Sequence, residues 1–316
     1  VDDVDGVQFT HLDEPLFEGA GASKRDLVEY LDAVHEAMLP GLRDRPLSVV
    51  RAHRGDAPFM QKNLPRYAPG WISRVGSWSE SSHREVIYAL CNDRRTLLWF
   101  ANQRAVEYHP ALVRATDPQH MTHLVIDLDP PDAQSFPMVR RVAALVHEVL
   151  DSVGLAGALK TTGSKGLHIF VPISPSTPMH DAAAATRAIA QRVEALDPDV
   201  ATTEFVKAAR GRRVFVDSTR AGGGATVVAV FSPRVRPGVT VSFPLRWEEL
   251  DEAEPADFTM ASAPGLLERN GNPWLEQMPP PQALPDELVE HGHTIPIPRV
   301  AAMHEGLRRA RTRRDS

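Results

Sequence analysis

Apolar residues recur along the chain with two periods, and the alternation between the periods predicts most of its elements. Leu27, Leu31, Val34 and Met38 keep the spacing of one helix face. Ser23-Lys-Arg-Asp26 ahead of them has the form of a capping box, and Pro40-Gly41 predicts the stop. The stretch 46–84, with Pro, Gly, Arg and the aromatics Phe59, Tyr67 and Trp71, is expected to be irregular. Val86–Cys91 reads as a strand, Asn92-Asp93 as its turn, Thr96–Arg104 as a short helix and Val106–His109 as a further strand.

The next block is more regular. Leu124–Asp129 predicts a strand, and Val139, Val142, Val146 and Val149 form one stripe of a helix over 138–153 that Gly154 ends. Two strands, 158–162 and 167–172, flank a Gly-Ser-Lys-Gly turn, and a helix follows from Asp181 to Leu196. Strands are expected at Arg213–Asp217 and Thr226–Phe231, separated by Ala221-Gly-Gly-Gly224. Beyond a Pro-rich stretch, a tail helix is expected to end in the basic run Arg308–Arg314. The order βαββαβ predicts an α+β fold with helices over a largely antiparallel sheet, not a doubly wound parallel one.

Composition narrows the class. No run of about 18 apolar residues occurs and the N-terminus is not signal-like, so a membrane span and secretion are not expected and a cytoplasmic setting is. A single cysteine, Cys91, excludes an internal disulfide and a cysteine-based zinc site. Only five of the 35 basic residues are lysine, a bias that fits a GC-rich bacterial genome. The formal charge of −6 speaks mildly against nucleic acid, but residues 51–104 hold nine Arg/Lys against four Asp/Glu. That local excess suits a phosphate backbone, while 248–257 is acidic.

The candidate chemistry sits in three motifs. Asp127 and Asp129, two apart in a strand, share a face, and Asp217 ends another strand. Three such carboxylates form a hard oxygen set suited to Mg²⁺ or Mn²⁺. With two ions, Asp127 and Asp129 would bridge both and Asp217 would complete the site of nucleotidyl transfer to a 3′-hydroxyl. Thr162-Gly-Ser-Lys-Gly166 lacks the spacing of a nucleotide-triphosphatase P-loop. It is either a tight hairpin or a cradle in which Thr162, Ser164 and Lys165 meet a triphosphate, with His168 in reach of a phosphate or sugar. Arg210, Arg220 and Arg234 extend the candidate phosphate pocket, since a guanidinium donates two parallel hydrogen bonds. His109 is either a structural histidine or a further phosphate contact.

At these residues the chain resembles the polymerase module of bacterial ligase D, in the archaeo-eukaryotic primase superfamily, and looks like a free-standing member. The likeness rests on Asp127-Leu-Asp129, Thr162-Gly-Ser-Lys-Gly-Leu-His168 and Val214-Phe-Val-Asp217. Phe59-Met-Gln-Lys62, Ala68-Pro-Gly-Trp71, Leu98-Trp-Phe100, Val106-Glu-Tyr-His109 and Asn272-Pro-Trp274 add to it. It implies an N-terminal DNA-binding subdomain over 1–110, an RRM-like primase palm over 111–250 and a C-terminal extension over 251–316. It also implies a polymerase or primase that fills short gaps or extends ends in DNA repair, using Mn²⁺ or Mg²⁺ and preferring ribonucleotides. Asp127, Asp129 and Asp217 would be the metal ligands. Thr162, Lys165, Arg210, Arg234 and His109 would hold the incoming nucleotide, and Phe59 and Lys62 would meet the template. The implied partners are gapped or broken DNA, NTPs or dNTPs, and a separate ligase or end-binding protein at the nucleoid.

Four positions depart from the family pattern. Of two lysines that bind a 5′-phosphate, Lys24 matches one, but the other position is Glu14. Met60 replaces a second aromatic, Arg220 stands where a glutamine is usual, and Gly222-Gly-Gly224 would loosen the loop after Asp217. Two alternatives stay open: a primase that starts without a primer, and a non-catalytic module that bridges DNA ends.

Overall fold

The computed structural model describes residues 3–297 except 53, 54, 56, 80–82 and 222–224. In chain order its elements begin with β1 (Asp3–Val4), β2 (Val7–Gln8), α1 (Lys24–Leu42), β3 (Pro46–Arg51), β4 (Phe59–Gln61), β5 (Arg74–Ser79) and β6 (Arg84–Leu90). They continue with α2 (Arg94–Asn102), β7 (Ala105–Pro110), β8 (Val113–Arg114), β9 (Asp117–Met121), β10 (His123–Asp129), α3 (Phe136–Ser152), β11 (Ala158–Thr161) and β12 (Leu167–Pro172). The last are α4 (Met179–Leu196), β13 (Ala201–Thr202), β14 (Val214–Asp217), β15 (Pro244–Leu245), α5 (Ala263–Asn270), α6 (Pro273–Gln277) and α7 (Asp286–Thr294). The fold is α+β with mostly antiparallel strand pairing, as the pattern predicts.

The chain divides into two compact units. The first holds 1–118, 160–164 and 224–277, and the second 119–159, 165–223 and 278–316. Residues 224–277 thus group with the N-terminal residues in the first unit.

In the first unit α1 opens with the expected capping box: Ser23 Oγ caps the Asp26 N–H, and the Asp26 carboxylate returns to the Ser23 N–H. Leu27, Leu31, Val34 and Met38 are fully buried. The helix runs through Pro40 to Leu42, past the expected stop. Burial of Leu39 and Leu42 in that last turn offsets the hydrogen bond that proline cannot donate. The region expected to be irregular contains three strands. β3 pairs with β4, β6 and β7, and Ser48 and Arg51 are buried along with Leu47 and Val49, so no apolar alternation marks the strand in the sequence. The strand expected over 226–231 is replaced by an irregular run along β7. Ala229 N–H bonds to Tyr108 O, but Tyr108 N–H turns to the Ser232 hydroxyl, and Phe231 sits at φ 61°, which breaks the ladder.

In the second unit the strands run in the order β13-β14-β10-β12-β11. β10 is antiparallel to both β12 and β14, while β13 is parallel to β14. α3 and α4 pack on each other and on these strands. Leu124, Ile126 and Leu128, fully buried, alternate with Asp127 and Asp129 along β10, so the two carboxylates emerge on the opposite face of the strand from the leucines. α7 lies against α4. The expected tail helix ending in Arg308–Arg314, and Gly222–Gly224, fall outside the described residues.

Candidate active site

Register sets the carboxylate face. Asp127 of β10 stands directly opposite Asp217 of β14 and, on its other side, opposite His168 of β12. Opposed residues of antiparallel strands project to the same side with Cα atoms about 4.5–5.5 Å apart. Asp127, Asp129, Asp217 and His168 therefore share one face. Asp127 and Asp217 are 8% and 7% exposed.

Cations surround these acids. Arg220 donates from Nε to Asp127 Oδ2 at 3.2 Å and lies 3.3 Å from Asp217 Oδ2, while His168 Nε2 is 3.4 Å from Asp127 Oδ1. Lys165 Nζ is 3.0 Å from Asp129 Oδ1 and donates to Pro130 O. Arg210 is 3.7 Å from Asp129 Oδ2, stacked over Phe215 at 3.6 Å and held by the carbonyls of Glu204 and Phe205. The two opposed acids respond differently. Burial works to raise Asp127, but His168 and Arg220 overcome it and hold the carboxyl down at about 2. Burial and the neighbouring Asp127 charge raise Asp217, and the N–H of Thr219 on its Oδ1 does not cancel them.

The donor set fits divalent cations: three carboxylates on one face, two of them cross-strand partners, and one acid still carrying unmet burial cost. Asp127, Asp129 and Asp217 are the residues that would hold such ions. In this structure their negative charge is met by Arg220, Lys165 and Arg210.

The glycine turn is built from two close approaches. Gly166 lets the chain pass over β10: a Cβ there would lie 2.0 Å from Leu128 O. Gly163, at φ 65°, would bring a Cβ within 2.8 Å of the Ser242 backbone N. The loop thus positions Lys165 from β10 in the second unit and Thr162 and Ser164 from the 234–242 segment in the first. There Arg234 donates to Thr162 O, Thr240 to Gly163 O, and Arg236 to the Ser164 hydroxyl.

The first unit also holds a second cluster of predicted residues. His109 Nε2 is 2.9 Å from Glu107 Oε2, and Arg234 Nε is 3.1 Å from Glu107 Oε1, which also accepts the Val235 N–H. Burial opposes this charge, but His109, Arg234 and Val235 hold the Glu107 carboxyl down at about 2. Glu107 was not singled out from the sequence. Its signal was its position, two residues before His109 on the same strand face.

The predicted DNA contacts divide. Phe59 is 43% exposed on β4 with the Arg51 guanidinium 5.8 Å from its ring centre, and Met60 and Lys62 are exposed beside it. Lys24 is only 2% exposed, and its ammonium donates to Thr10 O at 2.5 Å and Asn102 Oδ1 at 2.7 Å. Glu14 pairs with Arg104 at 2.7 Å, and Arg25 with Asp13 at 2.9 Å.

Residues 23–274 match the model of the LigD primase-polymerase domain. The chain is 31% identical over 289 residues to a bifunctional non-homologous end joining protein LigD of Bacillus subtilis, covering 90% of this chain and 46% of that protein. It is 31% identical over 297 residues to a multifunctional non-homologous end joining DNA repair protein LigD of Mycobacterium tuberculosis, covering 90% and 38%. The chain thus spans less than half the length of these relatives. A solved polymerase domain from Mycobacterium tuberculosis ligase D, in complex with DNA, superposes with a TM-score of 0.79 at 30% identity, over 86% of this chain and 99% of that one. Fold and comparisons together define the class as a nucleotidyltransferase of the polymerase type. Within that class, the chain belongs to the LigD primase-polymerase domain family.

Proposed function

We propose that this chain is a DNA-dependent nucleotidyltransferase that adds one or a few nucleotides at short gaps or broken ends, preferring ribonucleotides, in end-joining repair. The observation that carries the reading is the register Asp127↔Asp217, with Asp129 on the same face and Lys165 3.0 Å from Asp129. Asp127, Asp129 and Asp217 would hold divalent ions, which when bound would supply charge neutralisation for the attacking hydroxyl and the leaving pyrophosphate. Lys165, released from Asp129, reaches a phosphate as a point charge. Arg210 and Arg220 exchange carboxylate partners for phosphate oxygens. His168 keeps Asp127 ionised by facing its Oδ1. In the first unit Glu107 orients both His109 and Arg234 for a polyphosphate. Phe59 offers a face for base stacking worth about 1–3 kcal/mol.

With the Lys24 ammonium engaged by Thr10 and Asn102, and Glu14 by Arg104, 5′-phosphate capture at those positions is weak. The test is primer extension on a series of gap lengths, with Mn²⁺, rNTPs or dNTPs, and a downstream end with or without its 5′-phosphate. Extension by one to a few ribonucleotides, changed less than about threefold by the 5′-phosphate, is the expected result. No extension at any gap length overturns the reading.

A further inference from the structure

α7 docks on α4 through a close backbone approach. Gly292 lies so near the helix that a Cβ would sit 2.0 Å from Ala184 O, and Arg187 donates to Gly292 O at 3.1 Å. This contact delivers the next residue, His293, to the first turn of α4. There His293 Nε2 lies 2.7 Å from Asp181 Oδ1, and His180 Nε2 lies 3.4 Å from the same oxygen. The two imidazole rings have centres 5.7 Å apart at 46°, and one ligand atom from each of the three residues lies within 4.8 Å of the others. All three residues belong to the second unit.

We infer that His180, Asp181 and His293 form a further metal site, separate from the carboxylate face, that takes a late first-row divalent cation of the Zn²⁺ type and ties α7 to α4. A hydrogen bond between His293 and Asp181 accounts for two of the residues, but it has no use for a second imidazole aimed at the same carboxylate oxygen. A tetrahedral ion with bonds of about 2.0–2.2 Å separates its ligand atoms by roughly 3.3 Å. The His180–Asp181 distance already has that value, and the His293–Asp181 pair has to open by about 0.6 Å, within the reach of a half-exposed imidazole. Two nitrogens and one oxygen select Zn²⁺, Ni²⁺ or Cu²⁺, whereas three carboxylates select Mg²⁺ or Mn²⁺, so the chemistry of the two sites keeps them apart. The ligands come from two helices whose contact is fixed by Gly292, so two of the three are in place before an ion arrives.

The experiment is calorimetric titration of the full chain with ZnCl₂, comparing wild type with His180→Ala, His293→Gln and Asp129→Asn, alongside thermal melting with and without the ion. One Zn²⁺ equivalent should bind at least about tenfold more weakly in each histidine variant and unchanged in Asp129→Asn, and Zn²⁺ should raise the melting temperature of wild type more than that of His180→Ala. Metal-free melting shows whether each variant is folded. Because the hydrogen bond that joins α7 to Asp181 comes from His293 and not from His180, His180→Ala decides the matter if His293→Gln unfolds. Equal Zn²⁺ binding by wild type and His180→Ala, or a loss confined to Asp129→Asn, overturns the inference.

Discussion

The carboxylate face of the second unit and the Glu107 cluster of the first both bury anions among cations, but they are balanced differently. Glu107 is one acid with three partners, and its carboxyl is held well down. The other region places three acids on one face, where Arg220 serves two of them and Asp217 remains raised. A saturated anion organises its neighbours, and removing it leaves them without a counter-charge. An under-compensated set of acids retains affinity for a cation of higher charge. The difference separates a positioning cluster from a candidate metal centre, although each contains residues expected from the sequence to touch one nucleotide.

That contrast can be broken most severely at Asp127. Asp127→Ala should lower primer extension by about 1000-fold or more, an effect of roughly 4 kcal/mol on the barrier, with DNA binding by gel shift nearly unchanged. A smaller loss would mean that the face is as structural as the Glu107 cluster. Gly166→Ala comes next. A Cβ 2.0 Å from Leu128 O has to move the backbone between Asp127 and Asp129, so stability should fall by about 2–3 kcal/mol and Mn²⁺ binding should weaken with it. Urea denaturation and calorimetry read the two effects.

Glu107→Gln tests the saturated side, because it strands Arg234 and His109 with a neutral partner. A loss of about 3 kcal/mol in urea unfolding at neutral pH is expected. The pH dependence sharpens this. The folded carboxyl is depressed from 4.5 to about 2, so its contribution is present above pH 4.5 and is lost as pH falls from there towards 2. The stability gap between wild type and Glu107→Gln should therefore be flat above about pH 5 and shrink below about 4.5, and a gap that widened on acidification would contradict the assigned partners.

The smallest effect concerns Lys24, a third buried charge. Burial and Arg104 lower its folded pKa to about 8, against the opposing pull of Glu14. The unfolded chain then binds more protons between pH 8 and 10.5, so wild-type stability gains a rise over that window. Lys24→Met should flatten this rise and change neutral-pH stability by no more than about 1 kcal/mol, measured by denaturation at pH 7, 9 and 10.

The expectation from sequence was strongest where a local pattern carried the physics. The α1 stripe with its capping box, the valine stripe of α3 and the alternation of β10 each state their burial in a few consecutive residues. It was weakest over 46–84 and 226–231. In the first, β4 and β5 pair with their sequence neighbours β3 and β6, and β3 in turn is held by the distant β6 and β7, without an apolar alternation to mark it. In the second, a backbone N–H is satisfied by the Ser232 hydroxyl and not by a ladder. Pro40 marks the same limit, because burial of Leu39 and Leu42 outweighs a local stop signal.

The chain by itself determined which residues are acidic, which of them share a strand face, and where glycine permits a turn, because side-chain period and φ preference act over a few residues. Only the tertiary structure decided that Asp127 stands opposite both Asp217 and His168, that Glu107 holds His109 and Arg234, and that the Lys24 ammonium is already engaged. Register between strands far apart in sequence, and the charge balance it creates, are set by packing and have no local signature.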